Sequence, residues 1–324
     1  MTRVFSFLLH SVFGLLVLAG AAWSATAIWL HMEGMLRILA LAGLTVAVVG
    51  AALARRRSRW MGWAVFGVVV LTVGGWYQTI TPSQSRDWAV DVARGVKAQV
   101  DGDRVTLRDL RDFDWRSETE AEPRWISRDF DLTKLQSLDM LTSVWANPDI
   151  AHLLVSFGFE DGEQVVFSVE IRREAGESFN EIGGFFRQFE LVLIGATEDD
   201  IVKLRTNFRK EDVSLYPVRL SPEQMREMFM AYVELAQDLD RDPAFYNTLT
   251  ANCTTVVYQL AKVLKSDLPL DRELVLSGRL PEYLNQFGVM DDGDAIRDRK
   301  IAGISERAQG WKPGQDFSAV IRGR

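Results

Sequence analysis

One thiol and one imidazole are the side chains of the polar part of this 324-residue sequence best suited to nucleophilic chemistry. Cys253 is the only cysteine of the chain, and of its three histidines only His152 lies outside the apolar N-terminal stretch that holds His10 and His31. A cysteine nucleophile needs a base to take its proton and a third group to orient that base. Asn252 is a good helix N-cap, and Val256, Val257, Leu260, Ala261, Val263 and Leu264 follow with helical period. Cys253 is therefore expected in a first helical turn, where the dipole and unpaired N–H groups favour a thiolate and could hold an oxyanion. The competing reading is a small buried residue at a helix start.

A hairpin must place the base. Residues 151–159 and 163–171 flank Glu160-Asp161-Gly162, and a three-residue loop ending in Gly matches a type I turn followed by a left-handed bulge. That loop pairs Phe159 with Glu163, Phe157 with Val165 and, at the far end, His152 with Glu170. One face then carries Leu153, Val155, Phe157 and Phe159 against Val165, Phe167, Val169 and Ile171, while His152, Ser156, Ser168 and Glu170 make the other, polar face. A one-residue slip would mix the two. Glu170 is thus the expected orienting carboxylate; a solvated glutamate on an exposed strand is its bland alternative.

Other elements are legible around this pair. Asp101-Gly102 reads as a turn between two strands. The charged stretch Asp109–Arg128, with Phe113, Trp115 and Trp125, reads as irregular and surface-packed. Gly183-Gly184 breaks the chain before Phe185–Val192, and Glu198–Arg205 reads as a short helix. Ser221-Pro222-Glu223-Gln224 opens a further helix with a capping box. Its stripe of Met225, Met228, Phe229, Tyr232, Leu235, Ala236 and Leu239 is ordinarily core, the sharper reading being a Met-rich groove for an acyl chain.

The N-terminal part is of another kind. Three stretches, Val4–Leu30, Met35–Ala54 and Trp60–Thr79, are each about the 20 residues a bilayer-spanning helix takes. Trp29, Trp60, Trp76 and Tyr77 sit near their ends as an interfacial belt would. Residues 1–84 hold six basic residues and one acid, so the remaining 240 carry a net charge of −12 within a chain of net charge −7. So acidic a domain is a poor partner for nucleic acid. The cluster Arg55-Arg56-Arg57-Ser58-Arg59 joins the second and third spans, and the positive-inside rule puts it in the cytoplasm. The N-terminus is then cytoplasmic too, and the large domain lies outside. The first span could instead be read as a signal peptide, with small residues at Ala21–Ala27; its cleavage would leave the domain outside. The expected organisation is a membrane anchor over 1–84 and a periplasmic domain over 85–324. With one Cys and one His in that domain and no HExxH or CxxC spacing, no metal or cofactor is expected.

The runs His152-Leu-Leu-Val-Ser-Phe-Gly-Phe, Ser168-Val-Glu-Ile-Arg-Arg-Glu, Gly184-Phe-Phe-Arg-Gln-Phe-Glu-Leu and Tyr246-Asn-Thr-Leu-Thr-Ala-Asn-Cys-Thr-Thr resemble those of the Lnb N-terminal periplasmic domain family, named after a bacterial lipoprotein N-acyltransferase. The resemblance covers roughly residues 100–290. The His-first, Asn-Cys-later order also resembles circularly permuted NlpC-type cysteine enzymes. It implies an α+β, permuted papain-like domain with an antiparallel sheet, Cys253 as nucleophile, His152 as base and Glu170 as third member. Asn252, Tyr246, Arg172 and Arg187 stand in the same runs and are the candidate substrate-binding residues. The implied reaction is transfer of an acyl chain from phospholipid through a Cys253 thioester to the N-terminal amine of a lipoprotein. In that family the membrane segments follow the domain; here they precede it. The rival expectations are a thiol hydrolase acting on peptidoglycan peptides or lipid esters, and a tethered binding module without catalysis.

Overall fold

The computed structural model describes residues 2–180, 182–256, 258, 276–286, 288 and 299–324. The chain divides into two compact units, one of Met1–Pro82 with Asn180–Gln188 and the other of Ser83–Phe179 with Phe189–Arg324.

The first unit holds α1 (Thr2–His31), α2 (Gly34–Arg57) and α3 (Arg59–Gln78). All three are long and apolar enough to cross a membrane. Phe13, Val17 and Ala51 are buried among them, and Phe13 meets Trp63 edge-on at 4.9 Å. Arg55 is buried where the arginine link turns. Its guanidinium donates to the Arg59 carbonyl at 3.0 Å and lies 4.7 Å from the Phe13 ring. Gly62 is required there, since a Cβ would stand 2.8 Å from Arg55 Cβ.

The second unit is α+β, built on a mostly antiparallel sheet. Its strands are β1 (Lys97–Asp101), β2 (Arg104–Arg111), β5 (Trp125–Asp131), β6 (Leu135–Val144), β7 (His152–Phe159), β8 (Gln164–Arg172), β9 (Glu190–Ala196) and β10 (Asp212–Pro217). The order is β1-β2-β9-β8-β7-β6-β10, with β5 also on β2. β1 and β2 join through Gly102 in the left-handed conformation, as Asp101-Gly102 predicts. The stretch expected to be irregular is instead ordered. Asp114–Trp115 (β3) and Ala121–Glu122 (β4) pair as a small hairpin, and Trp125 already belongs to β5. The cause is distant in sequence: buried Asp200 accepts from the Arg111 guanidinium at 2.9 and 3.0 Å, from the Phe113 amide and from the Trp115 indole. A buried carboxylate must gather such donors, and these pin the segment down.

One face of the sheet packs on α5 (Pro222–Arg241), whose N-cap Ser221 and Gln224 form the expected capping box. Met225, Met228, Phe229, Tyr232 and Ala236 join Val155, Phe157, Val165 and Phe167 in the largest core cluster; the methionine stripe is core. The opposite face also carries a core, a correction to its reading as polar. Leu154 and Val166 are buried there with Ile201, Val202, Ile304 and Phe317, beneath α4 (Glu198–Lys203) and the short helices Ser305–Gln309 and Phe317–Ile321. A sheet covered on both faces turns its polar residues into buried ones, and each must find a partner. Ser156 donates to Glu198 at 2.6 Å, and Glu198 is held in turn by Arg322.

Candidate active site

The β7–β8 ladder takes the expected register, with Leu154 opposite Ser168 and Phe157 opposite Val165. The turn closes as foreseen, by hydrogen bonds from the Phe159 amide to the Glu163 carbonyl and from the Gly162 amide to the Phe159 carbonyl, with Gly162 left-handed. Register alone therefore carries His152 and Glu170 to the same end of the same face. His152 Nε2 lies 3.0 Å from Glu170 Oε1 and 2.7 Å from Ser168 Oγ, whose hydroxyl donates to the same carboxylate oxygen at 2.7 Å. Ser168 is fully buried, and the His152 and Glu170 side chains are only 12% and 20% exposed. Glu170 is not a solvated strand residue.

Cys253 arrives from far along the chain. A helical turn begins at Cys253, and Asn252 caps it: its side-chain oxygen accepts from the amides of Thr254 and Thr255, both at 2.9 Å, and its amide donates to the Thr248 carbonyl. The predicted continuation of this helix through Val257 and 260–264 lies outside the described residues. Asn252 thus holds the turn that carries the thiol. Its cap also occupies two of the first-turn N–H groups expected to be open to an oxyanion. The His152 ring and the Leu153 amide act on the sulfur to favour its charged form, and Thr254 Oγ1 lies 3.9 Å from it.

The charges settle accordingly. Burial would raise the Cys253 thiol, but the hydrogen bond and positive charge of His152, with the Leu153 amide, bring it below its ordinary value. Burial works against protonated His152; the Glu170 carboxylate and the bonds to Cys253 and Glu170 prevail over that and over Arg205, and raise the imidazole to about 9. Burial likewise opposes a charged Glu170, yet the His152 charge and hydrogen bond, with Arg205 and Ser168, hold it well below the usual range. The three groups thus favour one another's charged forms: thiolate, imidazolium and carboxylate.

Behind Glu170 is a layer that sequence reading misses. Arg205 donates to Glu170 at 3.1 Å and to Glu211 at 3.1 Å, and Glu211 also accepts from buried Ser143, which pairs with His152 across β6 and β7. Arg205 sits in a π-helical turn, Leu204–Phe208, that continues α4. Such wide turns have no periodic signature in sequence, and an Arg at a short helix end reads as solvated.

The other candidates are placed variously. Tyr246 borders the main core beside Cys253, and burial, with the Cys253 and Glu170 charges, raises its phenol well above the ordinary value. It lines the thiol's surroundings. Arg172 is committed elsewhere: its guanidinium donates to the Val92 and Ala93 carbonyls and to Gln84, and stacks 4.5 Å over Trp88. Its donors are thus spent on two carbonyls and a side-chain amide within the fold. Arg187 belongs to the first unit, where it donates to the Tyr77 and Ile80 carbonyls at the end of α3.

The family model described as the Lnb N-terminal periplasmic domain matches residues 121–283, half of the chain, a stretch that contains His152, Ser168, Glu170, Arg205 and Cys253. No curated protein and no solved structure matches the chain.

Proposed function

The chain belongs to the Lnb N-terminal periplasmic domain family and carries three membrane-compatible helices, and from that premise we propose that it is a membrane-anchored periplasmic cysteine acyltransferase working in lipoprotein processing. The observation that carries this reading is the His152 imidazole, bonded to Ser168 and Glu170 and interacting with the Cys253 thiol. It supports an activated thiolate, which the family's name turns toward acyl chemistry.

In the proposed reaction the Cys253 thiolate adds to the ester carbonyl of a phospholipid. The carbon–oxygen bond breaks, His152 gives the lysolipid oxygen its proton, and the acyl chain stays on sulfur as a thioester. The N-terminal amine of a lipoprotein then attacks the thioester. The amide forms, His152 takes the amine proton and Cys253 leaves as thiolate. We assign the oxyanion to the Cys253 amide, ahead of the donors that Asn252 takes. Glu170 orients the ring and balances its charge, and does not itself move a proton. A tether fits such substrates, since it confines the enzyme to the surface that holds both. Arg55–Arg59 is assigned to the cytoplasm and the sheet domain to the far side.

Incubation of the full chain with a radiolabelled-acyl phospholipid should give a labelled protein that hydroxylamine discharges, and label on an N-terminal cysteine lipopeptide when that acceptor is present. Free fatty acid as the sole product would make it a thiol hydrolase instead. Absence of label from wild type would overturn the covalent reading.

A further inference from the structure

Residues 180–188 leave the sheet domain in sequence between β8 and β9, yet they fold with the membrane helices. The fastening is specific. The His31 ring bonds the Phe186 carbonyl at 2.6 Å, and the Phe186 ring packs 5.8 Å from Trp23. The Arg187 guanidinium donates to the carbonyls of Tyr77 and Ile80 and to the Gln78 side chain, and lies 4.8 Å from the Tyr77 ring. Arg187 takes φ of 58°, a left-handed conformation uncommon for a non-glycine residue, to make these bonds.

The anchoring atoms fix the depth of the segment. His31 and Gln78 are the last residues of α1 and α3, and the His31 ring contacts both Trp76 and Tyr77, so the two spans end at one level. Trp76, Tyr77 and exposed Trp29 make an aromatic belt there, where the hydrocarbon core gives way to headgroups. At that level the loop turns two large apolar side chains outward, Ile182 at 58% and Phe185 at 44% exposure, while Gly183 and Gly184 between them are buried. Apolar side chains at belt depth, on a backbone bonded to the span ends, face lipid at the headgroup–acyl boundary.

We propose that residues 180–188 form a membrane-seated loop whose Ile182 and Phe185 insert into the outer-leaflet interface. The sheet domain is then tied to the bilayer through the β8–β9 connection as well as through the end of α3. Its ligand is the lipid surface, with no requirement for a particular headgroup. The inference rests on the helices spanning the membrane with the sheet domain outside, and stands apart from the chemistry of Cys253.

The test uses the full chain with Cys253→Ser, reconstituted in phosphatidylethanolamine–phosphatidylglycerol vesicles, with Ile182→Cys, Phe185→Cys or the hairpin-tip control Asp161→Cys carrying a nitroxide. Collision with oxygen against a water-soluble nickel chelate reads depth. Both loop sites are expected to favour oxygen over the chelate at least threefold more than the Asp161 site. A ratio equal to that of the Asp161 control at both sites would overturn the proposal. Shielding from oxygen and chelate alike would overturn it too, since that is the mark of a protein partner.

Discussion

Glu170→Gln isolates the electrostatic role of the carboxylate, because it keeps the shape and an acceptor oxygen while removing the charge. In the wild type, Glu170 is the largest influence holding the His152 imidazole up at about 9, against burial and the Arg205 charge. Without it burial and the Arg205 charge are opposed only by the interaction with Cys253, so the ring moves down toward its ordinary 6.5. At about 1.4 kcal/mol per pH unit, the ion pair with Cys253 loses up to about 3 kcal/mol, roughly 300-fold in its equilibrium constant against the neutral pair. The Glu170 side chain keeps some solvent contact, so about 10²-fold is the expected effect. The assay is the rate of Cys253 alkylation by iodoacetamide from pH 5.5 to 9.5, with circular dichroism to verify folding. Wild type should react faster than an ordinary thiol at pH 7, since its thiol lies below its ordinary value and its imidazolium persists to about 9. The glutamine variant should be about 10²-fold slower at pH 7 and recover as pH rises, in the manner of an ordinary thiol. Superimposable profiles from two folded proteins would refute the account, leaving Glu170 with no hold on the base.

Arg205→Met removes the cation that fixes Glu170 and leaves Glu211 only the longer contact with Arg209, at 3.8 Å, so alkylation at pH 7 should slow about tenfold with a loss of about 3 kcal/mol in urea unfolding; a fully reactive variant would detach this layer from the site. Asn252→Asp should keep the cap and near-normal reactivity whereas Asn252→Ala should cost about 1 kcal/mol, a difference thermal melting resolves; equal behaviour of the two would contradict the capping role. Glu190 is buried with Arg86, and burial raises its carboxyl to about 7, so the folded state holds a proton that the unfolded chain releases above about 4.5. Stability should therefore fall by about 1–3 kcal/mol as pH rises from 5 to 7 and level off above, and Glu190→Gln should flatten that slope in pH-dependent melts. A periplasm-dependent reporter fused after Arg324 should be active, while activity of a cytoplasm-only reporter there would reverse the proposed orientation.

What the sequence determines by itself is what its local periodicities carry. Apolar runs of bilayer length specify three long helices, and a Ser-Pro-Glu-Gln start specifies α5 and its cap. Glu160-Asp161-Gly162 and the apolar alternation set a hairpin register that leaves His152 beside Glu170, because a turn and its flanking strands are one short-range problem. Tertiary structure decides everything that joins distant segments. Leu154 and Val166 look like incidental apolar residues on a polar face until α4 and the C-terminal helices cover them. Arg172 and Arg187 read alike as available cations, yet packing spends one on the carbonyls of Val92 and Ala93 and the other on the end of α3. Burial sets the charges as well. Only the enclosure of His152, Glu170, Arg205 and Glu211 makes each ion depend on the next, since an isolated charge in that interior would be too costly to keep. Cys253 meets His152 only because the fold brings the Asn252-capped turn to the end of β7, a contact between side chains a hundred residues apart that no local pattern encodes.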